Sequence, residues 1–450
     1  MKILLVYPST LGPDRRPKKY RKAYLPPLSL ATLAALTPRE HTVRVVNDIV
    51  ENVDLSAHWD LVGLTAMTSQ VERAYQLADE CRQRKIPVVM GGVHASLMPD
   101  EAKNHADAVV IGEAENLWSQ LLKDCERGQF QEFYHDHEPP DLKDVVVPRW
   151  ECLNMRIYPR QLGARYPMMP IFTTRGCPFG CRFCAVTKLA GKSYRTRPVA
   201  TVLSEIEQTG AREFFFIDDN IAARPDYARE LFRALPERNI RWMSQTSTTI
   251  LKNPDLLDLA AQAGCFGLFV GIESVNPRSL AGVHKTFNRT EHYAELLARM
   301  RRAGIVPFLS FIFGFDQDTE NQFETTVDFL TRNQVGSAVF WILTPIPGTD
   351  LYEEMQREGR ITDTTWSKYD GTNVVYTPKT WSAANLHDRY WQSFQRLYRP
   401  TRILRNVIWN ARSSAHPCRA FLRGAFYQSY FWMKINAREH PYSGGIGRIA

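Results

Sequence analysis

Pro170-Ile171-Phe172-Thr173-Thr174-Arg175-Gly176-Cys177-Pro178-Phe179-Gly180-Cys181-Arg182-Phe183-Cys184 decides the reading of this chain. A strand-like run over 170–174 leads straight into three cysteines spaced C-x-x-x-C-x-x-C. Thiolates select soft metals, and a cubane iron–sulfur cluster normally takes four of them. Only three stand here, with no fourth nearby. A cluster held this way keeps one iron open, as a catalytic zinc keeps a position for substrate. Pro178 and Gly180 let the backbone wrap closely enough for the sulfurs to converge. A zinc knuckle or three unrelated thiols is the competing reading, but no second cysteine pair or His-x-x-x-His completes a tetrahedral zinc site.

Outward from this loop, a strand–helix series runs to about residue 343. Strands are expected at 171–174, 213–217, 241–246, 266–272, 307–313 and 337–343, with helices at 199–209, 227–235, 254–263, 291–303 and 320–333. Six such units predict an open, partial (β/α)6 relative of the eight-stranded barrel, with its chemistry at the carboxyl ends of the strands. The cysteine loop follows the first strand, where that chemistry belongs. The other strands also end in polar or glycine residues: Asp218-Asp219-Asn220, Gln245-Thr246-Ser247, Gly271-Ile272-Glu273-Ser274, Gly314-Phe315-Asp316 and a run from Thr344 to Thr349.

The first 125 residues form a separate alternation. Short Val- and Ile-rich strands at 3–7, 42–46, 61–65, 88–91 and 108–111 enclose helical stretches at 27–36 and 70–85, which predicts a doubly wound parallel sheet. Ligands of such sheets bind beyond the carboxyl ends of the strands. The loops there are 8–24, 66–69, Gly91-Gly92-Val93-His94-Ala95 and Gly112-Glu113-Ala114-Glu115. Neither G-x-G-x-x-G nor a P-loop is present, so dinucleotides and nucleoside triphosphates are not supported. The expected division is 1–125, a connector at 126–169, the barrel at 170–349 and a helical, basic segment at 350–450.

The 450 residues have room for these units, and 44% hydrophobic content is ordinary for a globular protein. Cys81, Cys125, Cys152, Cys265 and Cys418 lack paired spacing, which argues against a disulfide framework and for a reducing compartment. The apolar run at the N-terminus is too short for a signal peptide, and no stretch approaches the roughly 18 apolar residues of a membrane span. A cytoplasmic protein is expected. From Arg396 to Ala450 there are ten Lys/Arg and one acid, so this tail carries +9 of a net +8 and the rest sums to −1. A neutral body argues against nucleic-acid binding. In the tail, Ile403, Leu404, Val407 and Ile408 form one helical stripe, and Ala420, Phe421, Ala425, Phe426, Tyr430 and Phe431 a second. Core packing is the expected fate of both, with peripheral contact to an anionic membrane as the competing use of the cations.

The cysteine spacing, with Phe183 before the last cysteine, resembles the signature of the radical S-adenosylmethionine (SAM) superfamily. The resemblance covers about 171–349. It implies a [4Fe–4S] cluster on Cys177, Cys181 and Cys184 whose open iron chelates SAM, and reductive cleavage of SAM to a 5′-deoxyadenosyl radical. Gly271-Ile272-Glu273-Ser274 looks like the element that contacts SAM, so Glu273 and Ser274 carry over to cofactor binding. Asp218, Asp219 and Asn220 stand where many members have Gly-Gly-Glu, and Gln245 and Ser247 lie on the same rim. A carboxylate suits the SAM ammonium; helix capping is the alternative use of each acid.

The N-terminal sheet resembles the cobalamin-binding domain of the B12-dependent branch of that superfamily. Tyr24-Leu25-Pro26-Pro27-Leu28-Ser29-Leu30, Gly91-Gly92-Val93-His94-Ala95 and the run from Ala106 to Glu115 carry the likeness. Gly91, Gly92 and Gly112 are the expected cofactor contacts. Asp-x-His-x-x-Gly, whose histidine ligates cobalt elsewhere, is missing, as is common in this branch; His94 stands in a ligand-facing loop. Pro345, Gly348-Thr349, Leu351-Tyr352, Glu358-Gly359-Arg360, Trp366 and Tyr369-Asp370 also recur in the branch.

The resemblance implies C-methylation of an unactivated carbon in a lipid, tetrapyrrole or natural product, with methylcobalamin as methyl donor. An external one-electron reductant of flavodoxin or ferredoxin type is the expected partner. Ring contraction, cyclisation or C–C coupling with the same cofactors is an alternative. A tRNA methylthiotransferase with a second cluster on Cys81, Cys125 and Cys152 is another.

Overall fold

The computed structural model describes residues 1–160, 164–412 and 417–449, without the side chains of Asn410, Arg412, Pro417, Arg419, Ala420 and Arg423. Seven strands come first: β1 (Lys2–Tyr7), β2 (Lys19–Ala23), β3 (Thr42–Asn47), β4 (Leu61–Thr65), β5 (Val88–Gly91), β6 (Ala108–Ile111) and β7 (Phe133–His135). Six of them form a parallel sheet in the order β3-β1-β4-β5-β6-β7. Alternate side chains feed two cores. Leu4, Val6, Val62 and Leu64 pack with the helix Val71–Gln83, while Ile3, Leu5, Val45 and Val110 pack with the helices Leu28–Leu36 and Trp118–Arg127. Burial on both faces is why these strands read as continuous apolar runs. The sheet extends past the expected boundary at 125, because β7 joins its edge from within the stretch that had no sustained period.

The second series contains β8 (Met169–Ile171), β9 (Thr174–Arg175), β10 (Arg195–Thr196), β11 (Glu213–Phe216), β12 (Arg241–Thr246), β13 (Cys265–Glu273), β14 (Val306–Phe313) and β15 (Ala338–Ile342). Parallel pairing in the order β8-β11-β12-β13-β14-β15 gives the open six-stranded barrel wall. Its outward side chains, such as Leu268, Val270, Leu309 and Phe311, are buried under the helices, whereas the inward Phe269 and Trp341 are half-buried. One expected strand divides. Pairing of β8 with β11 stops at Ile171, and Thr174–Arg175 turns into an antiparallel pair with Arg195–Thr196 that brackets the cysteine loop.

The C-terminal segment ties the two sheets together. Tyr352, Trp366 and Tyr369 bury against the N-terminal core, and Trp366 Nε1 donates to Glu101 at 2.7 Å. Past the helices Ala383–Leu397, Pro400–Arg412 and Pro417–Asn436, a last strand β16 (Gly445–Ile449) pairs antiparallel with β2. Among the described residues no helix is long and apolar enough to cross a membrane. The expectation that both tail stripes are core holds only in part. Val407 and Phe431 are buried, but Leu404, Phe421 and Phe426 are exposed; the side chain of Ala420 is not among those described. Each of these helices has one face on the protein and one on solvent, so a stripe of apolar residues wider than the contact leaves its far side uncovered.

Candidate active site

Asp218 fixes the root of the cysteine loop. Its buried carboxylate accepts from the backbone N–H of Thr173 at 2.8 Å and of Thr174, and from the hydroxyls of Thr173 at 3.2 Å and Thr174 at 2.8 Å. These bonds bend the chain out of β8 and replace the ladder that ends there. Burial raises the Asp218 carboxyl to about 6 despite the four donors. Asp218 is therefore a clamp on the loop root, with its oxygens directed at Thr173 and Thr174. Beneath it the fully buried Arg197 pairs with Glu205 at 2.7 Å and donates to the Phe172 carbonyl.

Gly176 opens the loop at φ +88°, where a side chain would run into the Ser193 carbonyl, so only glycine suits this turn. Its N–H donates to Asp219 Oδ2 at 3.1 Å. Cys181 is buried, while Cys177 and Cys184 are half-buried. The far side of the loop is pinned where Arg182 N–H meets the Val283 carbonyl and Arg182 pairs with Glu354, and Phe179 stacks on Phe287. Burial pushes all three thiols up, Cys181 to about 12, while Lys285 opposes the shift at each. A bound metal removes these protons outright. No three His, Cys, Asp or Glu side chains among the described residues are gathered as ligands of one metal ion. A cluster, whose irons each take a different thiolate, needs a wider spacing than the roughly 2.3 Å zinc–sulfur shell. One loop, three thiols and no fourth fit a cluster with one open iron.

Lys285 is the residue the sequence reading missed. It is buried, and its ammonium pairs with Glu273 at 2.6 Å, under the rings of Phe183 and Phe287. Glu273 sits at φ +62°, at an irregularity in the β13–β14 ladder that turns its side chain toward the loop. Lys285 lies beyond a short helix, Pro277–Gly282, and no spacing marks it as a partner of Glu273. Along the remaining rim, Asn220 donates to Ser247 Oγ at 3.1 Å, and Ser274 Oγ accepts from Gln322 at 3.1 Å. Asn220 and Ser247 thus bond to each other, while Ser274 is held by Gln322 and by the Asn276 N–H. Gln245 is half-buried, its carbonyl receiving Ile221 N–H. Asp219 is exposed to the cavity described next, and the surrounding protein raises its carboxyl.

A cavity of roughly 320 Å³ opens where the two sheets face each other. Gly91, Gly92 and Gly112 line one wall, Leu28 and Leu30 the depth, and Thr174, Arg175 and Asp219 the side next to the cysteine loop. Gly92 takes φ +90°, and a Cβ there would come within 2.5 Å of Thr65 Oγ1 and 2.9 Å of Ala66 N. Nothing approaches within 4 Å of the missing Gly112 Cβ, so that backbone faces open space. Glu113 and Glu115 of the same loop reach across to Arg175, and Glu113 also to Arg195. The glutamates of one sheet's ligand loop thus grip the arginines that flank the cysteine loop of the other. His94 does not line this cavity. It is buried between Tyr75 and Trp366, 3.4 Å from Glu101. Cys81 lies in one core of the N-terminal sheet and Cys125 and Cys152 against the other, so they are not gathered for a second cluster.

Residues 171–330 match the family model of the radical SAM superfamily, and residues 20–122 match that of the B12 binding domain. Bacteriochlorophyllide d C-12(1)-methyltransferase of Chlorobaculum tepidum is 31% identical over 390 residues, covering 85% of this chain and 84% of that protein. Bacteriochlorophyllide d C-8(2)-methyltransferase of the same organism is 30% identical over 400 residues, covering 86% and 88%. The radical SAM methyltransferase TsrM of Kitasatospora setae, solved with cobalamin and a [4Fe–4S] cluster, shares the fold at a TM-score of 0.62 and 20% identity, over 79% of this chain and 78% of that one. With its three-cysteine loop at the mouth of an open barrel and a B12-binding sheet beside it, the chain belongs to the radical SAM superfamily, in the branch that carries an N-terminal B12-binding domain.

Proposed function

We propose that the protein methylates an unactivated carbon of an apolar, ring-built small molecule, with tetrapyrroles first among the candidates. A cavity walled by both sheets carries this reading, because methyl donor and radical source must reach one carbon. Tetrapyrrole substrates are suggested by the names of the two Chlorobaculum relatives. When bound, the cluster supplies the electron that cleaves SAM, and the corrin supplies the methyl group.

The chain's own residues hold, orient and exclude water. Cys177, Cys181 and Cys184 hold the cluster and leave one iron to SAM. Asp219, beside Gly176 and open to the cavity, is the carboxylate for the SAM ammonium. Glu273 with Lys285, Ser274, Asn220, Gln245 and Ser247 complete the SAM rim, while Asp218 shapes it from behind. Gly91, Gly92 and Gly112 let the corrin approach the backbone of residues 1–125, whose sheet β7 (Phe133–His135) completes at its edge. Glu113 and Glu115 keep that loop in register with the cysteine loop through Arg175 and Arg195. A flavodoxin- or ferredoxin-type protein delivers the electron.

The test is a product balance under anaerobic turnover with cobalamin and a bacteriochlorophyllide. Methylation yields S-adenosylhomocysteine and 5′-deoxyadenosine together with a product heavier by one CH₂. 5′-Deoxyadenosine alone would replace methyl transfer by cyclisation, contraction or coupling.

A further inference from the structure

We propose that the helix Pro417–Asn436, with its neighbour Pro400–Arg412, is a docking face for an anionic membrane surface. The helix is apolar on two opposite sides. Gln428, Phe431 and Ile435 are buried, and Phe431 packs on Tyr398 and Tyr442. On the opposite side Leu422, Phe426 and Met433 are 69%, 70% and 56% exposed, aligned at helical spacing with Ser429 between them. Phe421, Tyr427 and Trp432 flank this stripe, each exposed, and Leu404 extends the patch onto the neighbouring helix. Of the ten large hydrophobic side chains exposed among the described residues, seven lie here. A contiguous exposed apolar patch of this kind marks an interaction surface.

Charge selects the occupant. From Arg389 to Arg438 the sequence holds ten Lys/Arg and no Asp or Glu, and of these cations Arg402 and Lys434 are turned inward and buried. Two copies of such a face repel each other, which argues against self-association. An anionic lipid surface attracts the arginines, among them the exposed Arg399 and Arg405, and receives the apolar stripe. Tyr427 and Trp432 suit the boundary between headgroups and acyl chains. The inner side of the helix is fastened to the catalytic body. Tyr430 and Tyr24 hydroxyls bond at 2.7 Å, and Lys434 donates to Tyr24 at 3.1 Å. The chain then sends His440 onto Trp341 and Tyr442 against Phe269, both on the inner side of the barrel wall. A membrane held by this face therefore lies one helix away from the barrel, within reach of a substrate dissolved in lipid. The inference does not rest on which carbon bond is made.

The experiment is vesicle co-sedimentation of the full chain, using phosphatidylcholine alone and phosphatidylcholine mixed with phosphatidylglycerol, at low and high salt. Binding is expected only with the anionic vesicles at low salt, falling roughly tenfold as the Debye length shrinks from about 30 Å to 3 Å. The variant Leu422→Glu/Phe426→Glu, altered at two exposed positions, should lose binding while keeping its melting temperature and its SAM cleavage. Arg399→Glu/Arg405→Glu should lower binding and its salt dependence together. Absence of binding to anionic vesicles, equal binding to neutral ones, or unchanged binding by Leu422→Glu/Phe426→Glu would overturn the proposal. So would a dimer in sedimentation velocity that this variant dissolves.

Discussion

Replacing Lys285 by Met should cost about 3–5 kcal/mol of stability, because it removes one partner of a buried ion pair and leaves Glu273 uncompensated. Both side chains are inaccessible, the pair is short at 2.6 Å, and Glu273 cannot swing to water from its fixed position at φ +62°. The ammonium also lies 6.0 Å and 5.7 Å from the centroids of Phe183 and Phe287, contacts worth about 0.5–2 kcal/mol each when desolvated. At roughly 2–4 °C per kcal/mol for a unit of the barrel's size, the melting temperature should drop by about 10 °C. The double variant Lys285→Met/Glu273→Met should recover most of this, since an apolar pair of similar volume replaces a buried ion pair at little cost. Thermal and denaturant unfolding of the reconstituted protein, followed by tryptophan fluorescence, measures the cycle. A second readout separates the electrostatic role from packing. Lys285→Met should make the cluster harder to reduce in a redox titration followed by electron paramagnetic resonance, and Glu273→Gln should make it easier. A single variant within about 1 kcal/mol of the parent, or a double variant no better than the single, would show that Glu273 is not left as an uncompensated buried charge.

Cys181→Ala should lose most of its iron and all 5′-deoxyadenosine formation while folding normally, as the thiol lies in a loop; iron analysis and product chromatography check this. Gly92→Ala forces a Cβ to within 2.5 Å of Thr65 Oγ1 in a left-handed backbone, so cobalamin retention after gel filtration should fall at least tenfold. Asp318 is buried, and desolvation raises its carboxyl to about 6, even though Ser279 and the N–H groups of Gly314 and Phe315 hydrogen-bond it. The folded state keeps this proton to higher pH than the unfolded chain, so its contribution is complete below pH 3.8 and lost as pH rises through 6. Two units correspond to about 3 kcal/mol. Denaturant titrations from pH 4 to 7 should show a flatter profile for Asp318→Asn than for the parent.

Local pattern located the three cysteines, the six barrel strands and the five N-terminal strands that were expected, because strands buried on both faces and glycine-ended loops leave a local record. What escaped depends on contacts between distant residues. Strands β2 and β16 are short, basic and pair across more than 400 residues, with no apolar alternation of their own. Strand β7 is three residues long and is held by one edge of the sheet. Asp218 and Asp219 look alike in sequence, yet one is bonded to the loop root and the other faces the cavity, a difference set by the turn after β11 and not by residue type. Lys285 gave no signal because an ion pair formed across a loop has no period. The tail stripes were legible as helical, but which side would meet the protein was not.

On the proposed function, both cofactors meet in the cavity between Gly112 and Asp219. The direct measurement is electron paramagnetic resonance of the fully loaded protein, comparing cob(II)alamin with the cluster oxidised and with it reduced. Reduction of the cluster should split or broaden the cobalt signal, as two spins in one cavity must perturb each other. A spectrum that is the plain sum of isolated cob(II)alamin and isolated cluster would contradict it.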